Sequence, residues 1–210
     1  IWNYLKSRSQ EINNITVKTK NLNQNYFDSY INFNSKKISY EPMGYIVEER
    51  FLKYSLYNEI KKFKNIDIFF DKKISIIEKN FNCNSLTFED KTKIECNLLI
   101  GADGKNSFVG KSFNLKRIVF DFGQISIVGA VKHEKPHDGN AYQFFFPGGP
   151  FAILPMKKNI SSFVWTNKEQ KMKNILKLNK KDYLKELEKR FCGILGSFNL
   201  IGKRYDFPLS

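Results

Sequence analysis

Apolar residues recur at every second position in some stretches of the chain and at helical spacing in others, and these two periods divide it into elements. Ile12, Ile15 and Val17, then Tyr30, Ile31 and Phe33, predict short strands separated by Asn-rich turns. Glu41-Pro42-Met43-Gly44 breaks the pattern, and Tyr45, Ile46 and Val47 resume it as a short strand. From Glu48 to Phe63 the residues Leu52, Leu56, Ile60 and Phe63 recur at helical spacing with Lys and Glu between them, which predicts an amphipathic helix. Strands are expected at Asp67–Phe70 and Ile74–Ile77. Ser85–Phe88 and Thr92–Cys96 flank Glu89-Asp90-Lys91 as a hairpin. Leu98-Leu99-Ile100 reads as a buried strand that ends at Gly101. The order strand, helix, strand, hairpin, strand suits an α/β region with a small antiparallel insertion.

Beyond Phe113 the pattern changes. Ile125–Val131, Ala141–Phe146, Phe151–Met156 and Ile160–Trp165 are β-rich segments with turns between them and predict a mostly antiparallel sheet. Thr166 and Glu169 are spaced as a capping box for a short helix bearing Met172, Ile175 and Leu176. A second helix, from about Lys180 to Phe191, carries Leu184, Leu187 and Phe191 on one face. The expected division therefore falls near residue 112, with an α/β part at 1–112 and a sheet with two helices at 113–210. No apolar run approaches the roughly 18 residues that span a bilayer, and no charged start followed by an apolar stretch marks a signal peptide. There is no internal repeat.

Composition bounds the chemistry. A chain of 210 residues, 41% hydrophobic and with 20 Phe, is long and apolar enough to fold around a core. The net charge of +14 suits an anionic partner such as a nucleic acid, a membrane surface or a phosphate-bearing cofactor. A bias toward Lys, Asn, Ile and Phe accounts for it more simply, because the lysines are scattered along the sequence. Cys83, Cys96 and Cys192 are odd in number and far apart, which fits neither a disulfide framework nor a zinc pattern and suggests a reducing compartment. His133 and His137 are four residues apart, but Pro136 between them spoils a helical ligand pair, and no metal site is expected. No Gly-x-Ser-x-Gly elbow is present, which leaves a serine hydrolase without support. Phe144-Phe145-Phe146 reads as core rather than as a base-stacking platform.

The turn Gly101-Ala102-Asp103-Gly104 sits where an apolar segment ends, the place at which α/β sheets bind ligands. Glycine permits close backbone approach, and an Asp there can accept bonds from ribose hydroxyls; an ordinary Asp-Gly turn is the plainer alternative. Three longer stretches carry a resemblance. "LLIGADGKNSFVGKSF" resembles the Asp-Gly motif of the class A flavin monooxygenases, the p-hydroxybenzoate-hydroxylase-like enzymes, with Gly110 where that family usually has Arg and Lys111 beside it. "GYIVEERFLKYSLYNEI" is similar to the family's strand-to-helix passage. "DFGQISIVGAVKHEKPHDGNAYQFFFPGGPFAILPMKKNISSFVWT" resembles the ubiquinone-biosynthesis hydroxylase branch of the same family. The three run in family order, and Tyr205–Leu209 also fits.

The resemblance implies a mixed α/β (α+β) chain: part of an FAD/NAD(P)-binding domain at 1–112, and a substrate domain at 113–210 with a mostly antiparallel sheet and flanking helices. It implies FAD held by Arg50, Gly101, Asp103 and Gly104, with Arg50 facing the pyrophosphate. NAD(P)H would serve as reductant, and a substrate wall would include Phe146, Gly148, Gly149 and Pro150. No catalytic acid or base is assigned, because the cofactor carries the chemistry. The implied activity is hydroxylation by O₂ of the aromatic ring of a polyprenylated ubiquinone precursor. The implied setting is cytoplasmic, peripheral on the inner membrane and near other ubiquinone-biosynthesis proteins, with no nucleic acid expected. No Gly-x-Gly-x-x-Gly is present and the later Gly-Asp segment would lie beyond Ser210; with Ile1 as the first residue, an internal fragment, inactive alone, is expected. Two alternatives stand beside this reading: a class A hydroxylase acting on another ring, and a basic module binding nucleic acid or an acidic partner.

Overall fold

The computed structural model describes residues 1–19, 29–38, 41–81 and 83–210, and the Asn-rich turn expected after Val17 lies outside them. The chain forms two compact units, Ile1–Lys62 with Phe120–Ser210, and Phe63–Val119. In the first unit the early elements are α1 (Trp2–Lys6), β1 (Gln10–Ile12), β2 (Asn14–Thr19), β3 (Ser29–Asn34), α2 (Ser35–Ile38), β4 (Gly44–Ile46) and α3 (Glu49–Ile60). The second unit holds β5 (Ile74–Lys79), β6 (Asn84–Phe88), β7 (Lys93–Cys96) and α4 (Phe108–Ser112). The first unit resumes with β8 (Gln124–His133), β9 (Asn140–Phe146), β10 (Gly149–Met156) and β11 (Ile160–Lys168). It closes with α5 (Glu169–Leu176), α6 (Lys180–Phe191) and β12 (Phe198–Leu209).

A seven-stranded sheet in the order β12-β8-β11-β10-β9-β2-β3 dominates the first unit. Every neighbouring pair is antiparallel except β2 with β9. This confirms the mostly antiparallel sheet expected from the alternation. The compact units, however, do not follow the division expected near residue 112. The parallel pairing of Asn14–Thr19 with Asn140–Phe145 ties the start of the chain into the later sheet.

Strand alternation sets the two faces of that sheet. Ile125, Ile127 and Val131 of β8, Phe151 and Ile153 of β10, and Phe163 and Trp165 of β11 point to one side. Met172, Ile175, Tyr183, Leu187 and Phe191 of α5 and α6 cover them, and aromatic contacts such as Phe151–Phe191 (5.3 Å between centroids, edge-on) lock the layers. Each such buried side chain contributes about 1.5–3 kcal/mol. The opposite face carries Val128, Ala130, Ser162 and other smaller side chains, only partly covered.

Four expectations are corrected. Asp67–Phe70 and Leu98–Ile100 are not strands: the sheet of this unit is β5-β6-β7, and neither segment joins its edges through a backbone ladder. Leu98 and Ile100 are 75% and 76% exposed rather than buried. Thr166 does not cap a helix: β11 runs through it to Lys168, its hydroxyl meets Ser126 Oγ at 2.6 Å, and α5 starts after Lys168 without a side-chain cap. The helix from Glu48 is present but stops at Ile60, and its apolar residues Leu52, Leu56 and Ile60 are exposed while Ser55 faces inward.

Candidate functional site

The expected site residues fall in both units, Arg50 in the first and Gly101, Asp103 and Gly104 in the second, and each part is described by itself.

In the second unit the Gly-Ala-Asp-Gly turn is built around α4. Ser107 is the N-cap of that helix, its hydroxyl accepting from Gly110 N–H at 2.8 Å. The Asp103 carboxylate accepts from Ser107 Oγ (2.5 Å), Phe108 N–H (2.6 Å) and Val109 N–H (3.1 Å). The Ser107 hydroxyl and the Val109 N–H hold the Asp103 carboxyl below its ordinary pKa, so it is ionised at neutral pH. Gly104 has φ +77°, the left-handed turn that lets its carbonyl accept from Ser107 N–H, and Gly101 stands where a Cβ would press on Val109 at 3.0 Å. At Gly110 a side chain would begin 3.2 Å from the Ser107 hydroxyl, so an Arg there would crowd the cap.

Ala102, Asp103 and Val109 border a hollow of about 700 Å³ whose other walls include Lys72, Lys73 and Ile100. Two ion pairs hold these lysines, Lys73 with Glu89 at 2.5 Å and Lys72 with Asp90. Lys72 and Thr92 bring the Asp90 carboxyl down to about 2. The sequence reading missed both lysines, because their place beside the turn depends on β5 running past it.

In the first unit Arg50 stands in the first turn of α3. It is 71% exposed, pairs with Glu48 at 2.8 Å and lies over the Phe51 ring at 4.6 Å. Arg50, Val47 and Glu48 form one rim of a cleft of about 640 Å³, and the open face of the sheet forms its floor through Val128, Ala130, Ser162 and Tyr205. These floor residues were also missed, although the alternation that placed Phe163 and Trp165 in the core sends Ser162 and Val164 to the other side.

The turn from Phe146 to Pro150 does not line this cleft. Phe146 is buried against Phe144, and Pro150 pairs with Phe145 across the β9–β10 hairpin. Gly149 is required by packing, since a Cβ would lie 2.4 Å from the Thr166 carbonyl oxygen. His133 and His137 are buried and fully bonded. His133 meets the Lys135 carbonyl (2.7 Å) and Ser161 Oγ (3.0 Å), and His137 meets the Met156 carbonyl (2.6 Å) and Gly139 N–H (3.1 Å). Among the described residues no cluster of ligands could hold a metal ion, and Cys83, Cys96 and Cys192 form no disulfide with one another. No described helix is long and apolar enough to cross a membrane.

Residues 16–195 match the family described as FAD binding domain. The chain is 34% identical over 169 residues to the ubiquinone hydroxylase UbiL of Rhodospirillum rubrum, a match that covers 80% of this chain and 39% of that protein. It is 26% identical over 197 residues to the ubiquinone biosynthesis monooxygenase COQ6 of Drosophila melanogaster, covering 91% of this chain and 40% of the relative. The chain thus spans about two fifths of the length of these curated relatives. Its fold is similar to part of the halogenase PltM, solved with phloroglucinol and FAD (TM-score 0.73, 11% identity, 99% of this chain and 46% of that one). PqsL of Pseudomonas aeruginosa, described as a probable FAD-dependent monooxygenase, shares it too (TM-score 0.72, 13% identity, 94% and 57%).

Proposed function

The chain belongs to the FAD-binding domain family, and on that premise we propose that it serves an FAD-dependent, NAD(P)H-using monooxygenase that hydroxylates the aromatic ring of a polyprenylated ubiquinone precursor. Bound FAD supplies the reduction of O₂ and the delivery of one oxygen atom to the ring.

The residues present suit that cofactor. The Arg50 guanidinium, exposed at a helix start and held by a surface ion pair with Glu48 and by the Phe51 ring, is a ready partner for a pyrophosphate. Asp103 is ionised and fixed by three hydrogen bonds, and its remaining lone pairs can accept from ribose hydroxyls. Gly101 and Gly104 keep the backbone bare beside it.

The cleft on the open sheet face carries the reading. Its floor of small side chains at Ala130 and Ser162 admits a flat ring, and the Ser162 hydroxyl and the Tyr205 phenol can orient the ring's own oxygen atoms. Phe146, Gly148, Gly149 and Pro150 would act on the substrate only indirectly, by fixing the β9–β10 hairpin within the sheet. A prenylated substrate places the protein peripherally at the cytoplasmic face of a membrane, beside other proteins of ubiquinone biosynthesis.

The test is incubation of this chain, carried within a protein that completes the length of its relatives, with FAD, NADH or NADPH, air and a polyprenylated phenol, followed by mass spectrometry. A product heavier by one oxygen atom, formed only with reductant, supports the reading. Oxidation of the reductant with no oxygenated product contradicts it.

A further inference from the structure

Between Lys168 and Arg190 the sequence holds eight lysines and one arginine against four acids. In the fold this stretch is α5, the connection 177–179 and α6, the layer that covers the core face of the sheet. Its inward side is apolar apart from Arg190, which is buried over the Trp165 ring (3.8 Å) and paired with Glu186 (2.9 Å). Its outward side is basic. Lys173, Lys185 and Lys189 have acidic partners in Glu169, Asp182 and Glu186. Lys171, Lys177, Lys180 and Lys181 are exposed and form no ion pair among the described residues.

Three of these four lysines lie within five residues, across the corner where α5 turns into α6, so chain geometry alone keeps them together. Lys180 and Lys181 occupy the first turn of α6, where the partial positive charge of the helix disfavours cations. Helix stability therefore does not account for their placement. Half-buried Leu178 and Leu184 stand among them, and Leu184 sits with Lys180, Lys181, Lys185 and the single acid Glu188 in a shallow depression.

We propose that this helical corner is a docking surface for an anionic membrane, with the lysines meeting lipid phosphates and the two leucines meeting the headgroup boundary. A lysine cluster is the ordinary counterpart of an anionic leaflet. A single-stranded nucleic acid would instead call for exposed rings on which bases stack. Residues 168–182 contain no aromatic side chain, and Tyr183 is buried. The corner lies on the face of the sheet opposite the cleft, so docking leaves the cleft unobstructed. The proposal rests on the reading of a prenylated substrate only in its choice of lipid over other polyanions.

The experiment is co-sedimentation of the 210-residue chain with vesicles of phosphatidylcholine alone and of phosphatidylcholine with phosphatidylglycerol at about three to one. It compares the unaltered chain, the variant K171Q/K177Q/K180Q/K181Q and a control that loses the same charge elsewhere, K36Q/K61Q/K64Q/K93Q. Circular dichroism and unfolding midpoints check that all three fold alike, and a second variant, K180E/K181E, probes the corner with two changes only. The proposal expects binding to the anionic vesicles that falls about tenfold or more in both corner variants and less than about twofold in the control. Equal losses in corner and control variants, equal binding to neutral vesicles, or binding to DNA without binding to vesicles would each overturn it. The readout needs no flavin, so a negative result leaves the flavin reading standing, and failure of the flavin reading leaves a positive vesicle result in place.

Discussion

The Asp103 carboxylate accepts a hydrogen bond from the Ser107 hydroxyl at 2.5 Å while that hydroxyl accepts from Gly110 N–H at 2.8 Å. The pair couples the conformation of the Gly-Ala-Asp-Gly turn to the start of α4. Ser107→Ala removes the cap and is expected to cost about 1 kcal/mol in the stability of the second unit, read by amide exchange at Phe108, Val109 and Gly110. Unchanged exchange at those amides would contradict it.

Because the Asp103 pKa is lowered in the fold, its contribution to stability is present above the ordinary carboxylate range and lost as pH falls through the lowered value. An NMR titration should place its midpoint below that of an unstructured Asp, and Ser107→Ala should move it up toward the ordinary value. A midpoint at the ordinary value in the unaltered chain would mean that the three hydrogen bonds are not held in solution.

His133 gives a pH dependence at higher pH. Burial depresses its pKa, against the bond to the Lys135 carbonyl that favours the charged form, with His137 at 5.8 Å adding repulsion between rings if both were protonated. The unfolded chain therefore takes up the proton first. Stability is full above the ordinary His value and is lost as pH falls through the depressed one. Urea unfolding between pH 7.5 and 5 should show a falling midpoint, and His133→Gln should flatten the curve.

Core and exposed apolar residues should differ sharply. Phe151 is fully buried against Phe163, Trp165 and Phe191, and Phe151→Ala should cost about 3–5 kcal/mol. Leu98→Ala, at a residue three-quarters exposed, should stay within about 0.5 kcal/mol. Denaturant midpoints of the two variants measure the contrast, and equal costs would place Leu98 in a packed environment.

Gly149→Ala forces a methyl group toward the Thr166 carbonyl oxygen at a position with φ +152°. A destabilisation of about 1–3 kcal/mol is expected from the overpacking, visible as a lowered unfolding midpoint. A neutral effect would show that the β9–β10 hairpin can move away from β11.

Elements whose pattern is sufficient by itself were legible in the sequence. Ile125–Val131 and Ile160–Trp165 alternate cleanly, and Lys180–Phe191 repeats at helical spacing, so strands and helix appear where expected. Leu98–Ile100 was misread because three apolar residues become a strand only beside another strand, which no local pattern reports. Thr166 misled for the opposite reason: its spacing to Glu169 fits a cap, but pairing with Ser126 on β8 keeps it in the sheet. In the candidate site Asp103 and Arg50 stood out by motif. Ser162, Tyr205 and Lys72 did not, since only the tertiary arrangement brings them to a cleft or a hollow.

The measurement that tests the central claim most directly is a titration of the chain with FAD, followed by the change in flavin fluorescence, in the unaltered protein and in Arg50→Gln and Asp103→Asn. Arg50 is exposed and its ion pair with Glu48 is a surface one, so Arg50→Gln should leave the unfolding midpoint within about 0.5 kcal/mol of the original. The account predicts saturable binding that each substitution weakens about tenfold or more, as expected when a charge-assisted contact is removed. Absence of binding, or binding that both variants retain in full, would contradict it.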